Sequence, residues 1–553
     1  MKRTSSYFIT VLINLCLAAS TAYAQEKWEE GGEIESVEIE IVKERQITLP
    51  RADRNFDKIP PRPAEPITPA ISYDFKSFRF TTPDFQPVLR PLRLKQEELQ
   101  KINGGYLSAG LGNFGSAFLG AAITSKRNAN RYTGADLLHR SFATGPVRGR
   151  NSGSGNTQMN FFTGGFNNHL AGALQVGYEN IATLFYGFQP PTREVKRDTL
   201  RQMFHIVSFG AKVENVKPSD FNYKLSGSFS YLDDRFQAAE SIAGLQFNSN
   251  YALKNASKIL VASSYRLLAR KDSLVEAKPR SLFRITPSYQ FTPIEKLTVT
   301  AGFSFVYEND TIGSKDVHLY PSAHAAYQLS KGVEAFASLT GDMEEVSLHG
   351  IARENAWVNA NVDIFHANNQ LDFRAGLRGK AGAKGSFLLG AAVSSYRHLY
   401  LYVNAMPSPE RFDLVYDQVT RTNLFGEWGL VNANRFSLRL RGDYFGYSVD
   451  REREAWHRPA YRVAVHTDHN FFEKVSLQVN FSGLGGMKAW DQRNSKVVEL
   501  DAALDLNVKA RYFVSKPFSV FLEGSNLLNS DYPIYLYYPV RGLQVTGGLS
   551  WSF

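Results

Sequence analysis

His466 and Asp468 are the residues of this chain best placed for acid–base chemistry. They are two positions apart in an alternating stretch, so both side chains lie on the same side of a strand. A histidine held by a carboxylate acts as the base of many hydrolases, yet no serine-centred motif or acidic cluster accompanies this pair. The glycine-rich stretch 149–155 lacks the Gly-Lys-Ser/Thr ending of a phosphate-binding loop. We therefore expect no enzyme, no catalytic residues, and no bound cofactor or metal.

Charged residues that alternate with apolar ones form a second group with chemical potential. On the wet face of a barrel they could select solutes through their electric field, or they could simply neutralise one another. Because both signs are interspersed, the pattern favours mutual pairing. The predicted lumen-lining residues are Arg439, Arg441, Asp443, Arg462, Asp501, Asp505, Lys509 and Arg511.

The elements that position these charges are long strands with strict alternation. In one run, the apolar face consists of Leu500, Ala502, Leu504, Leu506, Val508, Ala510, Tyr512 and Val514. Such runs reach the roughly 9–11 residues that a tilted strand needs to cross a bilayer. Their apolar faces also contain many small residues, which would leave gaps in a packed sandwich core. The pattern predicts an all-β fold, a transmembrane antiparallel β-barrel, rather than a secreted sandwich.

Composition agrees with strands and excludes other classes. The 553 residues include 39 Phe, 27 Tyr and 42 Gly, a bias typical of strands. No apolar run after the N-terminus is long enough for a membrane-spanning helix. The 63 Lys and Arg residues exceed the 53 Asp and Glu residues but are dispersed, so we expect no nucleic-acid partner.

Residues 1–24 are predicted to be a secretory signal peptide. Lys2 and Arg3 precede an apolar stretch, and Ala22-Tyr23-Ala24 forms an A-x-A cleavage site. A lipoprotein cleavage before Cys16 is the weaker alternative, because Leu15 is bulky where such sites use a small residue. Cys16 is the only cysteine, so the mature chain is expected to have no disulfide, thiol or zinc–thiolate chemistry.

Residues 25–103 differ from the remainder of the chain. Nine of the 23 prolines lie here, and proline fixes φ and removes a backbone donor. We predict an extended segment that reaches into the periplasm or occludes the lumen, followed by a barrel over 104–553. A possible energy-coupling box is the acidic–apolar alternation Val37, Glu38, Ile39, Glu40 and Ile41; an acidic linker is the alternative.

The end of the chain has the features of a barrel-closing strand. Its apolar face is formed by Leu543, Val545, Leu549, Trp551 and Phe553. Barrels of this kind have an even number of strands with short periplasmic turns and longer outer loops. Strands placed between such turns number about 22, with starts near Ser116, Ala239, Phe412 and Val498 among others. So wide a barrel needs a plug or becomes a large pore.

Four tyrosines lie between the last two predicted strands, and two interpretations of them remain open. They could form an aromatic girdle at the lipid headgroups, or they could stack on a sugar or contact a partner protein. The girdle is the favoured interpretation. The residues are Tyr532, Tyr535, Tyr537 and Tyr538.

The stretch 524–532, Gly542 and the final strand 543–553 resemble the last two strands of TonB-dependent receptors. That resemblance implies a 22-stranded barrel in the cell outer membrane of a Gram-negative envelope, surrounded by lipid and inserted by the barrel-assembly machinery. It also implies a TonB-type energy-coupling protein, or other envelope proteins, as partner. Family members carry a plug of well over a hundred residues, whereas only 79 residues, 25 to 103, precede this barrel.

Two hypotheses of function follow from this resemblance and from the short segment that stands where family members carry a plug. The leading hypothesis is transport of an unidentified solute across the outer membrane. The alternative is a non-conducting structural subunit of an outer-membrane protein complex, docked through residues 25–103, since an extended segment can add to the edge of a partner's sheet.

Overall fold

A computed structural model describes residues 102–553 apart from 127, 129, 190–193, 255, 275–276, 311–315 and 433–434. This part of the chain forms a 22-stranded sheet that closes on itself where the first strand pairs with the last. The predicted fold class and strand number are confirmed. The predicted segments 1–24 and 25–103 and the box Val37, Glu38, Ile39, Glu40 and Ile41 lie outside the described residues. No helix among the described residues is long and apolar enough to cross a membrane.

The barrel is an up-and-down meander, each strand antiparallel to the next. Its first half comprises β1 (Gly105–Gly112), β2 (Ser116–Thr124), β3 (Arg131–Phe142), β4 (Ser154–Phe166), β5 (Leu170–Leu184), β6 (Arg201–Asn215), β7 (Phe221–Asp234), β8 (Ala239–Ala252), β9 (Lys258–Lys271), β10 (Arg280–Ile294) and β11 (Leu297–Glu308). Its second half comprises β12 (Val317–Ser330), β13 (Val333–Glu344), β14 (Ala367–Ala381), β15 (Gly385–Asn404), β16 (Phe412–Asn432), β17 (Phe436–Val449), β18 (Tyr461–Phe471), β19 (Val475–Gly485), β22 (Ala503–Phe513), β23 (Phe518–Ser525) and β26 (Gln544–Ser552).

Smaller elements lie in the connections. They are the hairpin β20 (Lys488–Asp491) with β21 (Lys496–Glu499), the hairpin β24 (Pro533–Tyr535) with β25 (Tyr538–Pro539), the helices Arg197–Leu200 and Leu348–Glu354, and the 3-10 turns Asn113–Gly115 and Gly149–Ser152.

Connection length distinguishes the two ends of the barrel. Gly104 N donates to the carbonyl of Phe553 at 2.7 Å, so the start of β1 and the end of the chain share one edge. Connections at that edge have two to six residues, whereas the opposite edge has connections as long as 345–366 and 526–543. Short turns face the periplasm in such barrels, so the long connections are extracellular.

The two faces of each strand differ as the alternation predicts. Leu549 and Trp551 are about half exposed on the outward face, at 54% and 49%. Between them Ser550 points inward, and its hydroxyl lies 2.9 Å from that of Ser108 on β1. An outward apolar belt with a polar interior suits a strand that separates hydrocarbon from water.

One predicted strand start is wrong. The strand expected near Val498 begins at Ala503, because Lys496–Glu499 pairs instead with Lys488–Asp491 in a hairpin of the extracellular connection. Leu500 is buried against Met487, Ala489 and Leu536 rather than facing lipid. Alternation alone does not separate a hairpin in a connection from a barrel strand.

Leu522→Arg should lower the unfolding free energy by roughly 2–4 kcal/mol, because Leu522 faces lipid near the middle of β23. The matched inward change Asn507→Arg should lower the unfolding free energy by only about 1 kcal/mol, because it removes the hydrogen bond that Asn507 accepts from Asn526 N at 3.2 Å. Urea titration of the barrel folded into liposomes measures both values. Equal costs would contradict the assigned faces.

Candidate functional site: the extracellular mouth and inner wall

Five extracellular connections fold together across the mouth of the barrel. We call 185–189, 194–200, 345–366, 405–411, 450–460 and 526–543, the described parts of these connections, the mouth assembly. Apolar side chains of 185–189, 345–366 and 526–543 form one buried cluster with those of neighbouring strands. It consists of Tyr186, Phe204, Ile206, Leu232, Ala238, Val346, Leu348, Ile351, Ala352, Val358, Val362, Ile364, Ala367, Tyr396, Leu399, Tyr402, Phe412, Val419, Tyr535 and Tyr538. Burial of so many side chains makes the mouth assembly a hydrophobic core in its own right.

Aromatic rings from separate connections meet at the centre of this cluster. The ring of Tyr538 is fully buried, 4.0 Å from that of Trp357 and 4.7 Å from that of Tyr186, centroid to centroid. Trp357 Nε1 donates to the carbonyl of Leu184 at 3.1 Å, and the hydroxyl of Tyr535 donates to that of Glu354 at 3.1 Å. The girdle interpretation is therefore wrong for Tyr535 and Tyr538, which pack inside the mouth instead of against lipid.

The helix Leu348–Glu354 is fixed over the lumen by polar contacts to the wall. Ser347 caps it by accepting from Gly350 N at 3.1 Å. The buried carboxylate of Glu240, on β8, accepts from His349 N at 2.9 Å. At the other end, Arg353 Nε donates to Glu179 on β5 at 2.9 Å. The helix thus connects two separate sectors of the wall.

The remainder of 345–366 is tied to further strands. Arg266 on β9 forms a bidentate pair with Glu345, at 2.6 and 2.9 Å. Arg270, also on β9, donates to the carbonyl of Val362 at 2.6 Å. On the opposite sector, Phe412 N at the start of β16 donates to the carbonyl of Trp357 at 3.0 Å. Segment 345–366 therefore crosses the mouth and is held on both sides.

His457 joins two connections of the mouth assembly, 450–460 and 526–543, to the end of β15. Its Nδ1 lies 2.9 Å from the carbonyl of Tyr402, and its Nε2 accepts from Leu536 N at 3.3 Å. A neutral imidazole with the proton on Nδ1 satisfies both contacts. Complete burial, with the nearby charge of Arg458, lowers the pKa of His457 to about 4. A second proton would place Nε2–H against a backbone N–H.

The predicted lumen-lining charges occupy the inner wall mainly as pairs. Arg441 lies 2.9 Å from Asp443 and 3.4 Å from Glu427, which also lies 3.8 Å from Arg439. Arg462 is the register partner of Asp443 on the next strand. These four predicted residues therefore form one patch, with both signs interspersed.

Three further candidates form a second patch, near the barrel seam. Lys509 lies 2.9 Å from Glu523, which Arg140 also contacts at 2.7 Å. Arg511 donates to the hydroxyl of Tyr106 at 3.2 Å. Asp505 accepts from Asn526 N at 3.2 Å.

Asp501 belongs to neither patch. It is exposed in the extracellular connection before β22, because that strand begins two residues later.

The His466 and Asp468 side chains do meet, with Nε2 and Oδ2 2.8 Å apart. Asp468 also accepts from the hydroxyl of Ser437 at 3.0 Å and from Gln478 at 3.0 Å. The serine therefore points at the carboxylate and not at the imidazole, which leaves no activated nucleophile in the arrangement. In the described ranges, no group of three or more His, Cys, Asp and Glu residues is placed to hold a metal ion.

Several residues of the mouth carried no recognisable signal in the sequence. Glu179 and Glu240 stand in alternating strands like any other inward polar residue, and Trp357 and His457 lie in irregular connections. Their roles depend on which connections fold inward, which is a tertiary property. The sole local hint is Ser347, a good cap residue before a short apolar stretch.

Solved structures of receptors and transporters share this fold. The siderophore receptor PirA from Acinetobacter baumannii superposes with a TM-score of 0.63 at 11% identity, over 83% of this chain and 81% of that chain. The FrpB iron transporter from Neisseria meningitidis gives 0.63 at 11% identity over 82% of each chain. The ferric-catecholate import receptor Fiu from E. coli K12 gives 0.62 at 8% identity over 82% of each chain. These proteins are receptors and a transporter rather than enzymes.

No family model matches the sequence, and no curated protein matches it. At such low identity the similarity to solved structures shows the fold. The chain has a 22-stranded barrel with the fold of these solved outer-membrane receptors, and that fold is one of the outer membrane.

Acid should loosen the mouth assembly. The pKa of His457, about 4 in the folded state, lies below the roughly 6.5 of an unfolded histidine, so the opened state binds the proton first. The stability that neutral His457 gives to the closed mouth assembly is fully present above pH 6.5 and is therefore lost as the pH falls toward 4. The lowered pKa values of His349, about 4, and His366, about 3, act in the same direction.

Hydrogen exchange of a peptide covering 534–540 should be roughly tenfold faster at about pH 5 than at about pH 7.5, after correction for intrinsic rates. His457→Gln should reduce this response, whereas His469→Gln, at the periplasmic end of β18, should leave it unchanged. An unaltered response in His457→Gln would refute the assignment.

Proposed function

We propose that this protein is an outer-membrane transport receptor that admits an unidentified solute through its lumen, with the mouth assembly as its extracellular gate. The observation that carries the proposal is segment 345–366, which crosses the mouth of a 22-stranded barrel. A barrel of this width is too large for its own wall side chains to fill. Closing such a lumen by connections suits a passage that opens on demand.

The contacts that hold the segment can be broken one at a time. The Arg353–Glu179 pair has an arginine side chain that is 53% exposed, and exposed ion pairs contribute about 0–1 kcal/mol each. The Trp357–Tyr538 contact is larger and buried, so it is the main closing contact. A solute that competes for a few such contacts could shift the gate toward an open state.

Residues 25–103 complete the proposal as an extended segment in the lumen or periplasm. Within it, 37–41 would act as the box that recruits a TonB-type energy-coupling protein by adding a strand to that protein's sheet. The alternation of the sequence and the fold of the barrel support this role.

Planar-bilayer conductance tests the passage. The native chain should conduct little, and a chain that combines Trp357→Ala and Tyr538→Ala with deletion of 25–103 should open a large pore. The two sets of changes are also made separately, to show which one closes the lumen. Trp490→Ala is the matched control, because Trp490 packs outside the mouth centre, on the β20 hairpin.

Each of these variants must first migrate as a folded barrel on an unheated gel. A folded combined variant that passes no ions would overturn the transport proposal and favour the non-conducting structural subunit.

Ile39→Pro should abolish co-purification with the periplasmic domain of the energy-coupling protein, because proline removes the N–H that strand addition needs. Thr48→Pro, beyond the box, is the matched control. Retention of the partner by Ile39→Pro would contradict the role of 37–41.

A further inference from the structure

A cavity of about 450 Å³ lies between the mouth assembly and the inner wall. Arg140, Asn156 and Ile181 line it from strands β3, β4 and β5, while Trp357 and Arg541 line it from connections 345–366 and 526–543. Small-molecule sites have volumes of roughly 300–1,000 Å³. The cavity is therefore large enough for one small solute and is bounded by two segments of the gate.

Arg541 brings a positive charge to this cavity that no carboxylate balances directly. Its guanidinium donates to the hydroxyl of Ser154 and the carbonyl of Thr144, and it stacks 4.0 Å from the ring centre of Phe142. Across the described ranges, no carboxylate oxygen lies within 4.0 Å of it. Burial lowers the pKa of Arg541, as expected of a cation withdrawn from water without a counter-ion.

The neighbouring charges leave a surplus of one positive charge. Arg140 and Lys509 share the single carboxylate of Glu523, at 2.7 and 2.9 Å. The carboxylate of Asp505 is already bonded to Asn526 N and to the hydroxyl of Tyr532. Arg140, Arg541 and Asp505 line the cavity, while Lys509 and Glu523 lie beside that lining. Together they are three cations and two carboxylates, so the cavity favours an anion over a cation.

The remaining lining supplies an apolar surface and neutral hydrogen-bonding groups. The apolar surface comes from Trp357, Ile181, Ile534 and Val540, and Asn156 contributes an uncharged amide. A site with a surplus of one positive charge and several apolar walls selects a solute that has an anionic end and an apolar body.

We propose that the cavity binds a small organic carboxylate with a planar apolar group, whose carboxylate pairs with Arg541 and whose ring packs against Trp357. The proposal rests on the proposed function, because it makes this carboxylate the class of solute that the gate recognises. A ligand there touches both 345–366 and 526–543, and so it bears directly on the contact between Trp357 and Tyr538.

Titration calorimetry on the full chain in detergent tests this, with benzoate as the probe and benzamide as its uncharged counterpart. Benzoate should bind saturably and benzamide at least tenfold more weakly, because only the carboxylate makes a charge-assisted pair with arginine. Arg541→Gln should weaken benzoate binding at least tenfold. Arg439→Gln, which alters an exposed wall arginine beside Glu427, should leave it unchanged.

Equal affinity for the two probes, or equal effects of Arg541→Gln and Arg439→Gln, would overturn the proposal, as would no saturable benzoate binding at about 10 mM. If Arg541→Gln fails to fold, the comparison of benzoate with benzamide on the native chain still decides. The conductance measurement uses no ligand. A chain that forms the pore but does not bind benzoate would therefore refute this site alone, whereas the absence of a pore would refute the transport function.

Discussion

Within the bilayer, every backbone N–H and C=O must find its partner in the protein itself. The pairing of β1 with β26 satisfies this requirement by removing the two free edges of the sheet. Closure with 22 strands then sets the width of the lumen, and that width leaves a mouth that wall side chains cannot fill. The inward-folding connections are thus a consequence of the requirement that closes the barrel.

Ion pairs and aromatic contacts lie in different parts of the barrel interior. On the wall, charges such as Arg441 and Asp443 occur in pairs that remain partly wet, so each contributes little to stability and leaves the lumen polar. At the mouth, rings such as Trp357 and Tyr538 exclude water and provide most of the packing. Polar contacts therefore position the connections, and aromatic packing holds them closed.

Alternation predicted the barrel well because the two-residue period of a strand is a local property. The starts expected at Ser116, Ala239 and Phe412 agree with the structure, since lipid on one side and water on the other impose the same pattern on every strand. The same pattern misplaced one strand by five residues, because Lys496–Glu499 alternates equally well in a hairpin outside the membrane.

The candidate site was less predictable, for a physical reason. Arg441 and Asp443 could be assigned to one face, but Glu523, which joins Arg140 to Lys509, could not be found from spacing, because its partners lie 383 and 14 positions away. Tyr538 was misassigned because a tyrosine in a connection suits a headgroup girdle and a buried core equally well. Which connection folds inward is decided only by the assembled barrel.

The position of Tyr535 and Tyr538 along the chain has a consequence for biogenesis. Both residues precede the final strand, yet Tyr538 contacts the ring of Tyr186 and Tyr535 contacts that of Trp357, and both partners belong to connections much earlier in the chain. The hydrophobic centre of the mouth therefore cannot be completed until the last hairpin is in place, which is also the step that seals the seam. A nascent barrel that has not yet received its C-terminal hairpin is thus both unsealed and uncapped, and one event ends both states.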